Sequence, residues 1–330
     1  MENFFCGVDI SKDSLDYSIC NAHTKSILLT CKVNNSIAGI LKMIKHVSVK
    51  TNQNQVKYCI ENTGRYGLLL AHLLQPNQLN YSIVSSLEIL RSSGLIRGKT
   101  DIIDAQRIAL YAATFSHKLK SAQLPGESIL KIKTLLSNRK QFVGIRNQLK
   151  NAYKSMLVCS EVITLESELQ VYTDEIERFT ARIKEIENKI SSIIKQDTAL
   201  NKSFEKITNI TGIGFVVAAS LLMYTNNFQS FSNPRKFNCY CGLAPFEYTS
   251  GSSVRGKTRT SNLRNKELKK LLFNAANAAI RHDKQIRTYY NRKTKEGKHK
   301  LSVINAVACK LIYRVFAVAN REEPYVNFSV

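Results

Sequence analysis

Apolar and polar residues alternate through three short runs near the start of the chain, FFCGVDIS, LDYSICNA and SILLTCKV, each closed by turn-forming residues. That period of two predicts an antiparallel meander of three strands between residues 4 and 33. Two further apolar runs, KYCIEN at 57–62 and YSIVSS at 81–86, flank the helical stretch GLLLAHLLQ, which predicts a βαβ unit with parallel, buried strands. The period then becomes helical. TDIIDAQRIALYAATF carries Ile102, Ile103, Ala105, Ile108, Ala109 and Ala112 on one face, with Thr100 as its N-cap. A meander, a βαβ unit and a helix, in that order, predict an α/β RNase H-like domain over residues 1–125.

From about residue 127 the pattern is helical, with apolar positions at helical period and a Lys- and Arg-rich opposite face up to residue 158. A heptad follows. Leu165, Leu169, Tyr172, Ile176, Phe179, Ile183, Ile186, Ile190 and Ile193 advance by alternating steps of four and three, and predict a coiled-coil seam. The stretch is locally acidic, so its expected task is pairing, with the preceding helix or with a second subunit, and it sets an oligomerisation segment at 126–202. The remainder, 203–330, reads as mainly α-helical. It opens on ITNITGIGFVVAASLLMY, where Gly212 and Gly214 resemble the tight turn of a helix-hairpin-helix element whose amides can meet a phosphate. Cys239 and Cys241 are expected on a short extended segment. Beyond them a long polar loop runs from about Gly242 into an amphipathic helix.

Charge narrows the function. The 330 residues include 48 Lys plus Arg against 25 Asp plus Glu, a formal net charge of +23, which points to a polyanionic partner, in the first place nucleic acid. No apolar run approaches the ~20 residues of a membrane span, and the N-terminus reads directly into a strand, so the expected location is the cytoplasm, on the nucleoid, with no membrane partner. Eight cysteines without paired CxxC spacing read as reduced thiols.

Against that basic background four acids stand out: Asp9 and Glu61 at strand ends, and Asp101 and Asp104 one helical turn apart at a helix start. Gathered carboxylates repel one another and stay ionised when they hold cations. Hard oxygen ligands of this kind suit a pair of Mg²⁺ (or Mn²⁺) ions, the arrangement used for in-line phosphoryl transfer. In the downstream loop, Arg255, Lys257, Arg259 and Arg264 are candidate phosphate clamps, and Ser250, Ser252, Ser253 and Ser261 are hydroxyls between which composition does not choose. Tyr289 and Tyr290, in the basic tail, are candidates for base stacking or for burial.

GVDISKDSLDYSI, CIENTGRYGLLLAHLL and KTDIIDAQRIA resemble, in order and spacing, the three blocks of the DEDD transposases of bacterial insertion sequences, the insertion-sequence one-ten group related to the Piv DNA invertase. GLAPFEYTSGSSVRGKTRTSN before a Leu-rich helix resembles that family's second conserved domain, so the resemblance covers nearly the whole chain. It implies a RuvC-like nuclease domain, a coiled coil and a C-terminal transposase domain with a nucleophilic serine, here Ser250 in Thr249-Ser250-Gly251. Where relatives carry Ile-Ser-Lys this chain has Thr260-Ser261-Asn262, which loses a cation. The resemblance further implies cutting and rejoining of donor and target DNA through a phosphoserine intermediate, guidance by a noncoding bridge RNA, and a dimer or tetramer whose active site combines Ser250 of one subunit with the acids of another. The rival expectations are a RuvC-like junction nuclease that uses water, and a nucleic-acid-binding scaffold without chemistry.

Overall fold

In the computed structural model β1 (Phe4–Ile10), β2 (Ser14–Asn21) and β3 (Ile27–Asn34) pair antiparallel in succession, as their alternation requires. The structure describes residues 3–52, 55–62, 64–92, 94, 98, 100–250 and 254–321, without the side chains of Tyr248, Ser250, Val254, Arg255 and Lys257. It divides into two compact units, Met1–Leu124 and Pro125–Val330.

In the first unit α1 (Ile37–Lys50) leads to β4 (Val56–Glu61), and α2 (Leu68–Leu74) leads to β5 (Tyr81–Val84). β4 joins β1 in parallel and β5 joins β4 in parallel, giving the sheet order β3-β2-β1-β4-β5. Helices α3 (Ser86–Ser92) and α4 (Asp101–Thr114) follow. The two faces of the sheet are sorted by residue parity. Cys6, Val8 and Ile10 of β1 share a core with Ile40, Met43 and Val47 of α1 and Leu70 and Leu74 of α2. Phe5, Cys20, Cys59 and Val84 face the other way, onto Ile108, Ala109 and Ala112 of α4. Helix α1 was not expected. Gly39 and the β-branched tail of IAGILKMIKHVSVK are poor helix formers, but the Ser36 hydroxyl caps the amide of Gly39, and burial of three apolar residues at helical spacing decides the outcome.

The second unit opens on α5 (Glu127–Cys159) and α6 (Glu166–Gln196), which pack antiparallel. Arg139 and Glu187 form an ion pair at 2.7 Å, and the Phe142 and Phe179 rings meet edge-on with centroids 5.6 Å apart. The heptad seam closes on α5 of the same chain. Ile183, Ile186 and Ile190 are buried, while Ile194 rather than Ile193 occupies the last fully buried position of α6. Helices α7 (Thr198–Thr208), α8 (Phe215–Thr225) and α9 (Pro234–Cys241) come next, then the hairpin β6 (Pro245–Ser250) and β7 (Val254–Thr260), then α10 (Lys266–His282), α11 (Lys284–Lys295) and α12 (Lys300–Ala319).

Three expectations are corrected here. The polar loop after Gly242 is largely a two-stranded antiparallel hairpin. Cys239 and Cys241 lie on α9, whose Asn233 cap and Pro234 first position start a helix that buries Phe237 and Cys241. Helix α12 is by length and composition apolar enough to cross a membrane, contrary to the expectation that no run approaches such a span. Its apolar content is accounted for by packing, since Val307, Leu311, Ile312, Val315 and Phe316 are buried in the core of the unit. Tyr289 packs against the same core, with the Lys310 ammonium 4.5 Å from its ring centroid.

Candidate active site

Asp9 and Glu61 owe their meeting to strand register. Val8 pairs with Ile60 across the parallel β1–β4 ladder, so the next residues, Asp9 and Glu61, lie side by side near the C-terminal ends of adjoining strands. By parity with Phe5 and Cys59 both belong to the face that α4 covers. The helix approaches there at very short range. A Cβ on Gly7 would lie 2.7 Å from the carbonyl oxygen of Ala105 and closer still to the amide of Ala109, so only glycine lets α4 seat with its small residues against β1. Asp9 is two residues along the strand from that contact, and Asp104 and Asp101 precede Ala105 by one and four residues on the helix. The Thr100 hydroxyl fixes this end of α4 by accepting from the amide of Ile103 at 3.3 Å.

The electrostatics register the convergence. The half-buried Asp9 carboxyl is pushed up to about 6, first by burial and then by the charges of Glu61, Asp104 and Asp101, with a hydrogen bond from the backbone of Ile10 opposing. Asp104 accepts from Arg107 Nη1 at 2.9 Å, and Arg107 also donates to the Gly98 carbonyl. Lys32 Nζ lies 4.0 Å from Asp101 and 3.4 Å from Asp16. Among the described residues no three His, Cys, Asp or Glu side chains stand close enough to hold a metal ion. The four acids are by chemistry the hard oxygen donors that a divalent cation takes, though as placed they are not gathered into such a group. Asp9 bears the charges of the other three acids, and Asp101 and Asp104 face the cationic Lys32 and Arg107.

Asp16, Lys32 and Arg107 were not singled out from the sequence. Asp16 is only 3% exposed and sits directly across the β1–β2 ladder from Asp9. The available signal was its place between Leu15 and Tyr17 in an alternating strand, which assigns it to the face opposite those apolar neighbours.

In the second unit, Ser250 ends β6, its backbone paired with Val254 across the hairpin. Its side chain, and those of Arg255 and Lys257, lie outside the described residues, as do Ser252 and Ser253 altogether. Arg259 is exposed and opposite Phe246 in the hairpin register. Arg264 folds back, donating to the carbonyl of Ser261 at 2.9 Å and to the Asn262 side chain at 3.2 Å, while the Ser261 hydroxyl accepts from the amide of Leu263. Lys269 ties the hairpin base down through the Gly242 carbonyl at 2.8 Å and Thr260 Oγ1 at 3.1 Å; burial, then the nearby Arg264 charge, lowers its pKa. Gly212, at φ +99°, brings its turn against α10, where a Cβ would meet the Ala275 carbonyl at 2.5 Å. Gly214 precedes α8 with open space around it.

Two family profiles match the chain: a DEDD transposase domain over residues 6–159, and the transposase IS116/IS110/IS902 family over residues 204–291. The chain belongs to this family of insertion-sequence transposases. The first match contains all four acids and the second contains the Ser250 hairpin. The chain is 26% identical to the pilin gene-inverting protein of Moraxella lacunata over 98% of both chains. It is 32% identical to the insertion element IS110 43.6 kDa protein of Streptomyces coelicolor over 34% of this chain and 27% of that one. It is 23% identical to the transposase for insertion sequence element IS1111A of Coxiella burnetii over 56% of each. Membership in the family makes the protein a DNA recombination enzyme.

Proposed function

We propose that this transposase cuts and rejoins DNA with a serine nucleophile on the second unit and a metal-holding acidic site on the first, which we read as an RNase H-like, RuvC-like domain. The observation that carries the reading is the seating of α4 on Gly7, which sets Asp101 and Asp104 over the strand ends that bear Asp9 and Glu61. The strand order, with three antiparallel strands followed by two parallel ones, supports the fold assignment. Asp9, Glu61, Asp101 and Asp104 would hold Mg²⁺ or Mn²⁺, which supplies charge stabilisation at the phosphate and lowers the pKa of an attacking hydroxyl.

The chain's own residues account for the rest. The Ser250 hydroxyl attacks the phosphorus of one phosphodiester, forming an Oγ–P ester as the deoxyribose oxygen leaves and takes up a proton. Attack by a second deoxyribose hydroxyl reverses the step and restores a phosphodiester without external energy. Arg255, Lys257, Arg259 and Arg264 neutralise strand phosphates around the hairpin, and Gly212 and Gly214 offer backbone amides to a neighbouring phosphate. The enzyme acts in the cytoplasm on donor and target DNA, guided by a bridge RNA, as a dimer that forms a tetramer on DNA, Ser250 of one subunit working with the acids of another.

The test is covalent trapping. Protein, the element's noncoding RNA, donor and target DNA and Mg²⁺ are mixed, and a protein–DNA adduct is sought on a denaturing gel. An adduct that disappears in both Ser250→Ala and Asp9→Ala supports the reading. Cleaved DNA with no adduct, unaffected by Ser250→Ala, would transfer the chemistry to water and leave only the metal nuclease.

A further inference from the structure

At the base of the Ser250 hairpin, between α9 and β6–β7, the surface opens into a cavity of about 840 Å³. Its walls are apolar and solvent-exposed: Tyr240 is 39%, Phe246 48% and Leu263 57% exposed, although each is large enough to be buried if the fold had use for it. Its rim is polar, with the Glu247 carboxylate, the Arg259 guanidinium and Ser261. Lys236 precedes Tyr240 by one turn of α9, and both are exposed, so a second cation stands beside the opening. The walls are held in place from behind. Asn265 Nδ2 donates to the Tyr240 hydroxyl at 3.2 Å, its amide donates to the Tyr240 carbonyl at 2.9 Å, and the Tyr240 ring rests on Phe231 with centroids 5.4 Å apart.

We propose that this cavity receives one unstacked nucleobase of the DNA strand engaged by the hairpin, with Phe246 and Tyr240 as its stacking faces. A nucleobase is apolar on its faces, polar along its edge and attached to an anionic backbone, and the cavity offers the complement of each part. Glu247 accepts from an exocyclic amino or ring N–H group, while Arg259 and Lys236 meet the flanking phosphates. An aliphatic side chain would leave the rim without a role, and an acidic peptide would meet Glu247. The proposal rests on the reading of the second unit as the DNA-engaging part. It adds a site that holds a base out of the stack a few residues from the serine, so that the strand is fixed by a base as well as by its phosphates.

The experiment compares two fluorescein-labelled 12-mers by anisotropy with the full-length protein: oligothymidylate and an abasic deoxyribose-phosphate chain of equal length. The wild type is expected to bind the thymidylate about tenfold more tightly, in the range found for one stacked base. Phe246→Ala and Tyr240→Ala are expected to bring the thymidylate down to the abasic level without weakening the abasic chain, whose retained binding shows that the variants are folded. The chain has no Trp, so Phe246→Trp adds a single indole; it is expected to keep the preference and to be quenched by thymidylate and not by the abasic chain. Equal wild-type binding of both oligomers, or a preference that survives both alanine variants, would overturn the base site and leave the phosphate-binding reading intact. Binding of neither oligomer would overturn both.

Discussion

Asp9 bears an electrostatic cost that the metal-free protein cannot shed. Its folded pKa of about 6 lies above its ordinary value of 3.8. Well below pH 3.8 it is protonated in both the folded and the unfolded chain, so folding incurs no penalty there. As pH rises towards 6 the unfolded chain ionises first, the folded chain holds more protons, and stability falls until the folded carboxyl ionises too. Asp9→Asn is therefore expected to raise metal-free stability at pH 7.5 by roughly 1–2 kcal/mol, after allowance for solvent screening of a half-buried group, and to leave it nearly unchanged at about pH 3. Thermal melts in EDTA check this, and a variant no more stable than wild type at pH 7.5 would show that burial and the neighbouring acids together do not burden Asp9. The same melts with Mg²⁺ are expected to show a metal-induced rise in wild type that Asp9→Asn loses. The acids were legible in the sequence because their positions, two at strand ends and two at a capped helix start, follow from local periodicity. Asp16, Lys32 and Arg107 were not, because their roles come from pairings that only register and packing define.

At the scale of elements, the site depends on a helix lying nearly on bare backbone. Gly7→Ala is expected to lower stability by roughly 1–3 kcal/mol through overpacking against Ala105 and Ala109, and also to blunt the Mg²⁺-induced rise in melting temperature, although no carboxylate is altered. Gly39→Ala is the matched comparison. A Cβ there overlaps the Asn34 carbonyl at the start of α1, on the opposite layer from α4, so stability is expected to fall with the Mg²⁺ response preserved. If both substitutions cost the response equally, the seating of α4 is not what positions the acids. The elements of this site were legible where period and cap agreed, as in β1, β4 and α4. They were not where local signal and tertiary structure part company. Helix α1 forms on burial despite weak propensity, and β6–β7 pair although EYTSGSSVRGKTRT shows no apolar alternation, since backbone hydrogen bonds rather than a buried face hold a two-stranded hairpin. Cys239 and Cys241 suggested a strand by their spacing of two, but the Asn-Pro start of α9 sets a helix.

Across the whole molecule, the acids belong to one compact unit and the serine hairpin to the other, each with its own core. Chemistry that needs both can therefore be assembled within a subunit or between subunits, and nothing in a single chain's sequence chooses, because the choice belongs to the assembly. Ser250→Ala is expected to retain the Mg²⁺ response of the first unit while forming no adduct; Asp9→Asn is expected to lose both. Mixing the two inactive variants, after a salt-and-dilution step that exchanges subunits, distinguishes the arrangements. If Ser250 of one subunit works on the acids of another, a mixed assembly contains one site with both parts intact, and adduct is expected to return to roughly a quarter to a half of the wild-type level. If each subunit uses its own parts, every site in the mixture carries one defect and no adduct returns. With differently tagged variants, the adduct in the first case should form solely on the Asp9→Asn chain, which alone carries the serine, so the label identifies both the nucleophile and the direction in which it reaches.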